Sequence, residues 1–121
     1  MSYEIKQDGK FKFIEEGDGE PLVLLHGLFG ALSNFQSLIE HFRKTNKVIV
    51  PLLPLLELDL LHTSVGGLQK FVHRFIEHRN YNNIHLLGNS LGGHVALVHV
   101  LKNPDRIKSI ILTGSSGLFE N

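Results

Sequence analysis

Ile84-His85-Leu86-Leu87-Gly88-Asn89-Ser90-Leu91-Gly92-Gly93-His94 is the stretch that decides how this chain is read. A short apolar run ends at a glycine, a serine follows two residues later, and two more glycines precede an apolar, helix-like segment. Gly88-x-Ser90-x-Gly92 is the spacing of a nucleophile elbow, a sharp strand-to-helix turn that holds its serine in a strained backbone conformation. Glycine is needed there for room. With Ser90 at positive φ, a Cβ at Gly88 or Gly92 would collide with the neighbouring backbone. The turn pushes the hydroxyl into the open and aims the first amides of the helix at the reacting atom, where their partial positive charge favours an oxyanion. The bland alternative is a glycine-rich turn whose serine merely caps a helix. The elbow is preferred because a strand precedes it, a helix follows it and a second motif stands upstream.

Outward from the elbow the chain alternates. Leu91 to Lys102 predicts a helix that stops before Asn103-Pro104. Ile107 to Leu112 predicts a last strand, with Gly114-Ser115-Ser116-Gly117 as a loop. Towards the amino terminus, Asn80 to Asn83 is a turn, and Thr63 to His78 places Leu68, Phe71, Val72, Phe75 and Ile76 at helical spacing. Lys47 to Val50 is a strand. Ser33 can cap a helix that begins near Asn34 and has Phe35, Leu38, Ile39 and Phe42 on one face. Pro21 to His26 is a continuous apolar run, the mark of a strand covered on both faces. Tyr3 to Gln7 and Phe11 to Glu15 flank Asp8-Gly9 as a hairpin. A hairpin followed by alternating strands and helices predicts an α/β fold with a mostly parallel sheet and flanking helices. Ligands of such sheets sit beyond the carboxyl ends of the strands. His26-Gly27-Leu28-Phe29-Gly30 and Ser90 both fall at such ends, so they can face one pocket.

Composition narrows the function. At 121 residues there is room for one domain with a real core. Twelve basic and twelve acidic residues balance to a formal net charge of zero, which points to neither nucleic acid nor an anionic membrane as partner. Without cysteine, disulfides, thiolate catalysis and cysteine-based metal sites are excluded. Met1 to Lys6 is polar and has no apolar h-region, and the apolar tract from Pro51 to Leu61 contains Glu57 and Asp59 and is too short for a bilayer. A cytoplasmic location is expected. No cofactor or metal is expected either. Gly9, Gly17 and Gly19 fit no dinucleotide fingerprint, Gly88 to Gly93 lacks the Lys-Ser/Thr ending of a P-loop, and the histidines show no HExxH pattern.

With both strand–glycine–helix segments in place, the chain resembles an α/β-hydrolase, from the amino-terminal hairpin to the strand after the elbow helix. The resemblance implies about six of that fold's eight strands and makes Ser90 the nucleophile. It implies an oxyanion hole formed by the backbone N–H groups of Leu91 and Leu28, with Phe29 the less favoured donor. His26 and Gly27 then position the oxyanion loop, and His26 is not the base. Gly88 and Gly92 shape the elbow, while Phe29 and Asn89 face substrate. The Asn89 form of the elbow resembles both carboxylesterases and the carbon–carbon hydrolases of ring-cleavage products. Family members order the triad as serine, acid, histidine, with the last two on loops after later strands. This sequence ends at Asn121, after the strand counted as sixth, and Thr113 to Gly117 offers no carboxylate, Glu120 being the one nearby. Residues 1–121 are therefore expected to be a single domain, truncated before the lid and the carboxy-terminal strands.

Eight histidines invite a replacement base. His94, one helical turn after Ser90, is the nearest in sequence, but a base must reach Oγ and have an orienting partner, so packing against a neighbouring loop is preferred. His73 and His78 are read as solvated or partly buried helix positions, and His85 and His99 as packing beside the sheet. His41 and His62 have no evident partner. The leucine-rich stretch Pro51 to Leu61 either lines an apolar acyl pocket or packs in the core, and its two prolines disfavour a regular helix. The function expected is hydrolysis of a small-molecule ester of an apolar acid through Ser90, with the isolated chain inactive for want of the acid and base. One alternative is carbon–carbon bond hydrolysis. Another is a non-catalytic half-domain that self-associates through the edge strand 107–112.

Overall fold

The computed structural model describes residues 3–26, 35–54 and 65–114. Lys6–Asp8 (β1) and Phe11–Glu16 (β2) form the antiparallel hairpin, with Asp8 opposite Phe11. The turn residues are therefore Gly9 and Lys10, one position later than Asp8-Gly9. Gly9 has φ +62°, and a glycine at positive φ in the first turn position matches the strand twist. The first strand is also shorter than predicted, since Tyr3 lies outside it and sends its hydroxyl to Glu40.

Pro21–Leu25 (β3), Lys47–Pro51 (β4), Ile84–Asn89 (β5) and Ile107–Thr113 (β6) pair in parallel, while β2 joins β4 antiparallel. The strand order is β1-β2-β4-β3-β5-β6. Gln36–Phe42 (α1), Val65–Arg79 (α2) and Leu91–Lys102 (α3) are the helices, with a 3-10 turn over Pro104–Arg106. Helix α2 runs one residue past the predicted His78, and β6 one past Leu112. The predicted cap Ser33 and most of the leucine-rich stretch, residues 55–61, lie outside the described residues, as does the loop from Ser115 onward. Phe35 precedes α1 without a side-chain capping bond.

Both faces of the sheet are covered, as the unbroken apolar run of β3 requires. Val23 and Leu25 join Phe13, Ile49, Phe75, Leu86 and Val95 beneath α2 and α3. Leu22 and Leu24 join Val48, Val50, Leu87, Phe35 and Ile39 beneath α1. Each such side chain contributes about 1.5–3 kcal/mol on burial. The hairpin is fastened to the end of α2 by Arg79, which donates to Asp8 at 2.8 Å and Glu15 at 3.3 Å and lies 4.7 Å over the Phe13 ring. Burial opposes ionisation of Glu15, but hydrogen bonds from Tyr81 and Arg79 outweigh it and hold the carboxyl below its usual range.

His99, expected to pack beside the sheet, is buried on α3 with its side-chain partner on α2. Gln69 Nε2 lies 3.0 Å from His99 Nδ1. Since the amide nitrogen only donates, Nδ1 accepts and the ring is neutral. Burial, assisted by the nearby His73, pushes the His99 pKa down from 6.5 to about 4. The unfolded chain therefore takes up this proton between those values and the folded chain does not, so stability falls as pH drops through that window. Urea midpoints at about pH 7 and about pH 4.5 should show a smaller acid loss in a Gln69→Leu/His99→Leu double variant than in the parent. An equal loss in both would remove His99 as the cause.

Candidate active site

The elbow is built from β5, α3 and β6. Ser90 takes φ 58° and ψ −122°, a conformation that few side chains adopt without strain. The glycines around it are obligatory for packing. A Cβ on Gly88 would lie 2.3 Å from the Gly92 carbonyl oxygen, and one on Gly92 would lie 2.1 Å from that of Leu25 and 2.9 Å from that of His26. Backbone fills both spaces, so nothing flexible can give way. The start of α3 is thus pressed against the end of β3, just before residues 27–34.

Two amides of α3, those of Gly93 and His94, return to the Ser90 carbonyl at 2.9 and 3.4 Å. The Leu91 amide is at the first helical position, where no intrahelical acceptor exists, and it adjoins the serine. That is where an oxyanion donor is required. Leu28, the other expected donor, lies outside the described residues, with Gly27 and Phe29.

His26 is 6% exposed. Its Nε2 lies 3.0 Å from the Leu53 amide nitrogen. A backbone N–H can only donate, so Nε2 is the acceptor and the ring proton is on Nδ1. The histidine therefore ties the end of β3 to the segment after β4, just before residues 27–34. It cannot at the same time offer Nε2 as a base.

The sequence reading missed what β6 does. The Ser90 N–H donates to the Thr113 carbonyl at 3.0 Å, and the Thr113 hydroxyl donates to Asn89 Oδ1 at 3.1 Å. Gly114, at φ +52°, follows so closely that a Cβ there would be 3.2 Å from the same oxygen. Asn89 is half-buried and held towards β6 by this contact. The available signal was Gly114 directly after a strand, at the carboxyl end of the sheet beside the elbow.

Ser90 is half-buried, and among the described residues no histidine or carboxylate hydrogen bonds to its hydroxyl. His94 is exposed on α3 and makes no such contact. His73 lies 3.2 Å from Glu77, His78 2.9 Å from Asp8, and the His41 ring stands edge-on to Phe42 at 4.7 Å. His62 lies outside the described residues. Among the described residues no group of three or more His, Asp or Glu is placed to hold a metal, and no helix is long and apolar enough to cross a membrane.

Comparison with known proteins adds to this geometry. A family model described as the alpha/beta hydrolase fold matches residues 61–121. The chain is 30% identical over 115 residues to the sn-1-specific diacylglycerol lipase ABHD11 of Danio rerio, covering 86% of this chain and 34% of that protein. It is 29% identical over 117 residues to Lipase 1 of Psychrobacter immobilis, covering 91% of this chain and 37% of that one. Among solved structures it resembles MGS-MChE2, an alpha/beta hydrolase enzyme from a lagoon-sediment metagenome of Mar Chica, Morocco. The TM-score is 0.88 at 47% identity, over 97% of this chain and 54% of that one. The chain spans about a third of the length of the two curated relatives and about half of that structure.

Urea denaturation tests the elbow. Gly92→Ala should lose about 3 kcal/mol or more, because its Cβ would meet rigid backbone. Ser90→Gly should gain about 1 kcal/mol, because it removes the strain of a side chain at positive φ. A neutral Gly92→Ala together with a destabilising Ser90→Gly would contradict the geometry.

Proposed function

Since this chain belongs to the alpha/beta hydrolase fold family, we propose that it carries the nucleophile half of a serine carboxylesterase-like hydrolase acting on an ester of an apolar acid. The observation that carries this reading is Ser90, held at φ 58° next to the first amide of α3, the helix whose Gly92 is pressed against the end of β3. Its Oγ attacks the ester carbonyl, and the negative charge that develops on the carbonyl oxygen is met by the Leu91 amide and by that of Leu28. Asn89 and Phe29 contact the acyl side of the substrate. The lipase names of relatives at 29–30% identity support an ester with an apolar acyl chain.

A serine needs a base that takes its proton and an acid that orients the base. Among the described residues neither contacts Ser90. In this proposal both come from outside residues 1–121, and the 121-residue chain alone is nearly inactive. An oxyanion hole and binding without a working base leave only residual catalysis, on the order of 10⁶-fold below a full triad.

A p-nitrophenyl butyrate assay tests both statements. The chain alone should show no multiple turnover, and sustained turnover abolished by Ser90→Ala would refute the inactivity. In the enzyme completed by its acid and base, Ser90→Ala should lower kcat by on the order of 10⁶-fold. Full activity in that variant would sink the assignment of the nucleophile. Preferential cleavage of a ring-cleavage diketone over the ester would move the reading to carbon–carbon hydrolysis.

One observation favours a second reading, assembly through the sheet edge. Strand β6 is the last strand of the described sheet, and Ile111 on it is 40% exposed. An uncovered apolar edge pairs readily with another strand. Light scattering should then show a defined dimer, whereas a monomer or polydisperse aggregates would exclude an assembly module.

A further inference from the structure

A serine with a base beside it does exist in this chain, at the other end of β5. Ser109 on β6 and His85 on β5 are paired across the ladder, and Ser109 Oγ lies 2.7 Å from His85 Nδ1. On its other side, His85 Nε2 lies 3.1 Å from Glu20 Oε1. Lys108 Nζ approaches the two oxygens of Glu20 at 3.2 and 3.0 Å. Hydrogen bonds from His85 and Lys108 hold the Glu20 carboxyl below its usual range, so it is ionised near neutral pH. An ionised carboxylate only accepts. In its neutral form the His85 ring therefore carries its proton on Nε2, and Nδ1 accepts from the Ser109 hydroxyl. This is the order serine to base to orienting acid.

The cluster is held firmly. The Glu20 carbonyl accepts from the Lys47 amide and from Asn46 Nδ2, both at 3.2 Å. Gly19, at φ +124°, packs so closely that a Cβ would lie 2.4 Å from the Thr45 carbonyl oxygen. The residue before the acid thus leaves it little freedom. The site is also open, since the His85 and Glu20 side chains are 26% and 45% exposed and Ser109 is half-buried. Strand β6 is the sheet edge among the described residues. Alternate amides of an edge strand face away from the sheet, where they can serve a developing oxyanion.

We propose that Ser109, His85 and Glu20 form a second nucleophilic site, which accepts acyl groups from small activated esters. Ser109 Oγ bonds to the ester carbonyl carbon while its proton passes to His85 Nδ1. The carbon–oxygen bond to the leaving phenol breaks, the phenolate departs with the electron pair, and the Glu20 carboxylate holds the imidazolium until it releases its proton to water. The site is independent of Ser90, being roughly 16 Å away along β5.

The test is p-nitrophenyl acetate treatment of the 121-residue chain, followed by tryptic mapping. Cleavage after Arg79, Lys102 and Lys108 places Ser90 in residues 80–102 and Ser109 in residues 109–121, so the two adducts are read separately. An acetyl group is expected on Ser109. His85→Gln should slow its formation by about 100-fold, and Glu20→Gln should slow it too, because the tautomer is no longer fixed. Circular dichroism checks that both variants are folded. Absence of the adduct on Ser109, or a rate indifferent to His85→Gln, would overturn the proposal. An adduct on Ser90 alone would also overturn it and would leave the assignment of that serine intact.

Discussion

The close approach of α3 to β3 is the constraint on which the rest depends. Gly92 leaves room for no side-chain atom between its own backbone and the carbonyls of Leu25 and His26. That contact puts the first turn of the helix at the carboxyl end of the sheet. It also forces the chain to turn from β5 into α3 within one residue. Ser90 accepts the dihedral strain because neither neighbour can move. The strain, the placing of the half-buried serine and the helix amide near it share one cause.

A strained residue persists only where its surroundings over-determine it. Three elements do so here. Strand β3 closes the space behind Gly92, α3 folds its amides back on the Ser90 carbonyl, and β6 accepts the Ser90 N–H through Thr113. His26 adds a fourth restraint at the mouth, bridging to Leu53 on the segment after β4. The elbow is therefore shaped by three consecutive parallel strands of the sheet, β3, β5 and β6.

Much of this could be read in the residues, because the signals were local. Gly88-x-Ser90-x-Gly92 needs only five positions to state its geometry, and the apolar run of β3 states its double burial. What escaped reading was either a backbone partner or a register. The Leu53 amide would be the same in any residue but proline and the Thr113 carbonyl in any residue at all, so no letter of the sequence marks them. The hairpin turn slipped by one because Asp8-Gly9 and Gly9-Lys10 both contain the glycine, and only pairing decides which residues close the ladder. The Ser109–His85–Glu20 contact joins residues 24 and 65 positions apart, a distance that pattern reading cannot cross.

The role of β6 bears on how such a site is assembled. If the elbow were shaped by β5 and α3 alone, the serine would be preformed as soon as those two elements met. The Ser90 N–H to Thr113 bond instead makes β6 part of the turn, so the geometry is complete only when that strand is paired. Nothing in that requirement involves a base or an acid. The geometry of Ser90 and of the amides near it is thus separable from proton transfer: one resides in the packing of these six described strands and three helices, the other in whatever group is brought to the Ser90 hydroxyl. A fold that divides the work in this way keeps the elbow finished whatever group meets the hydroxyl.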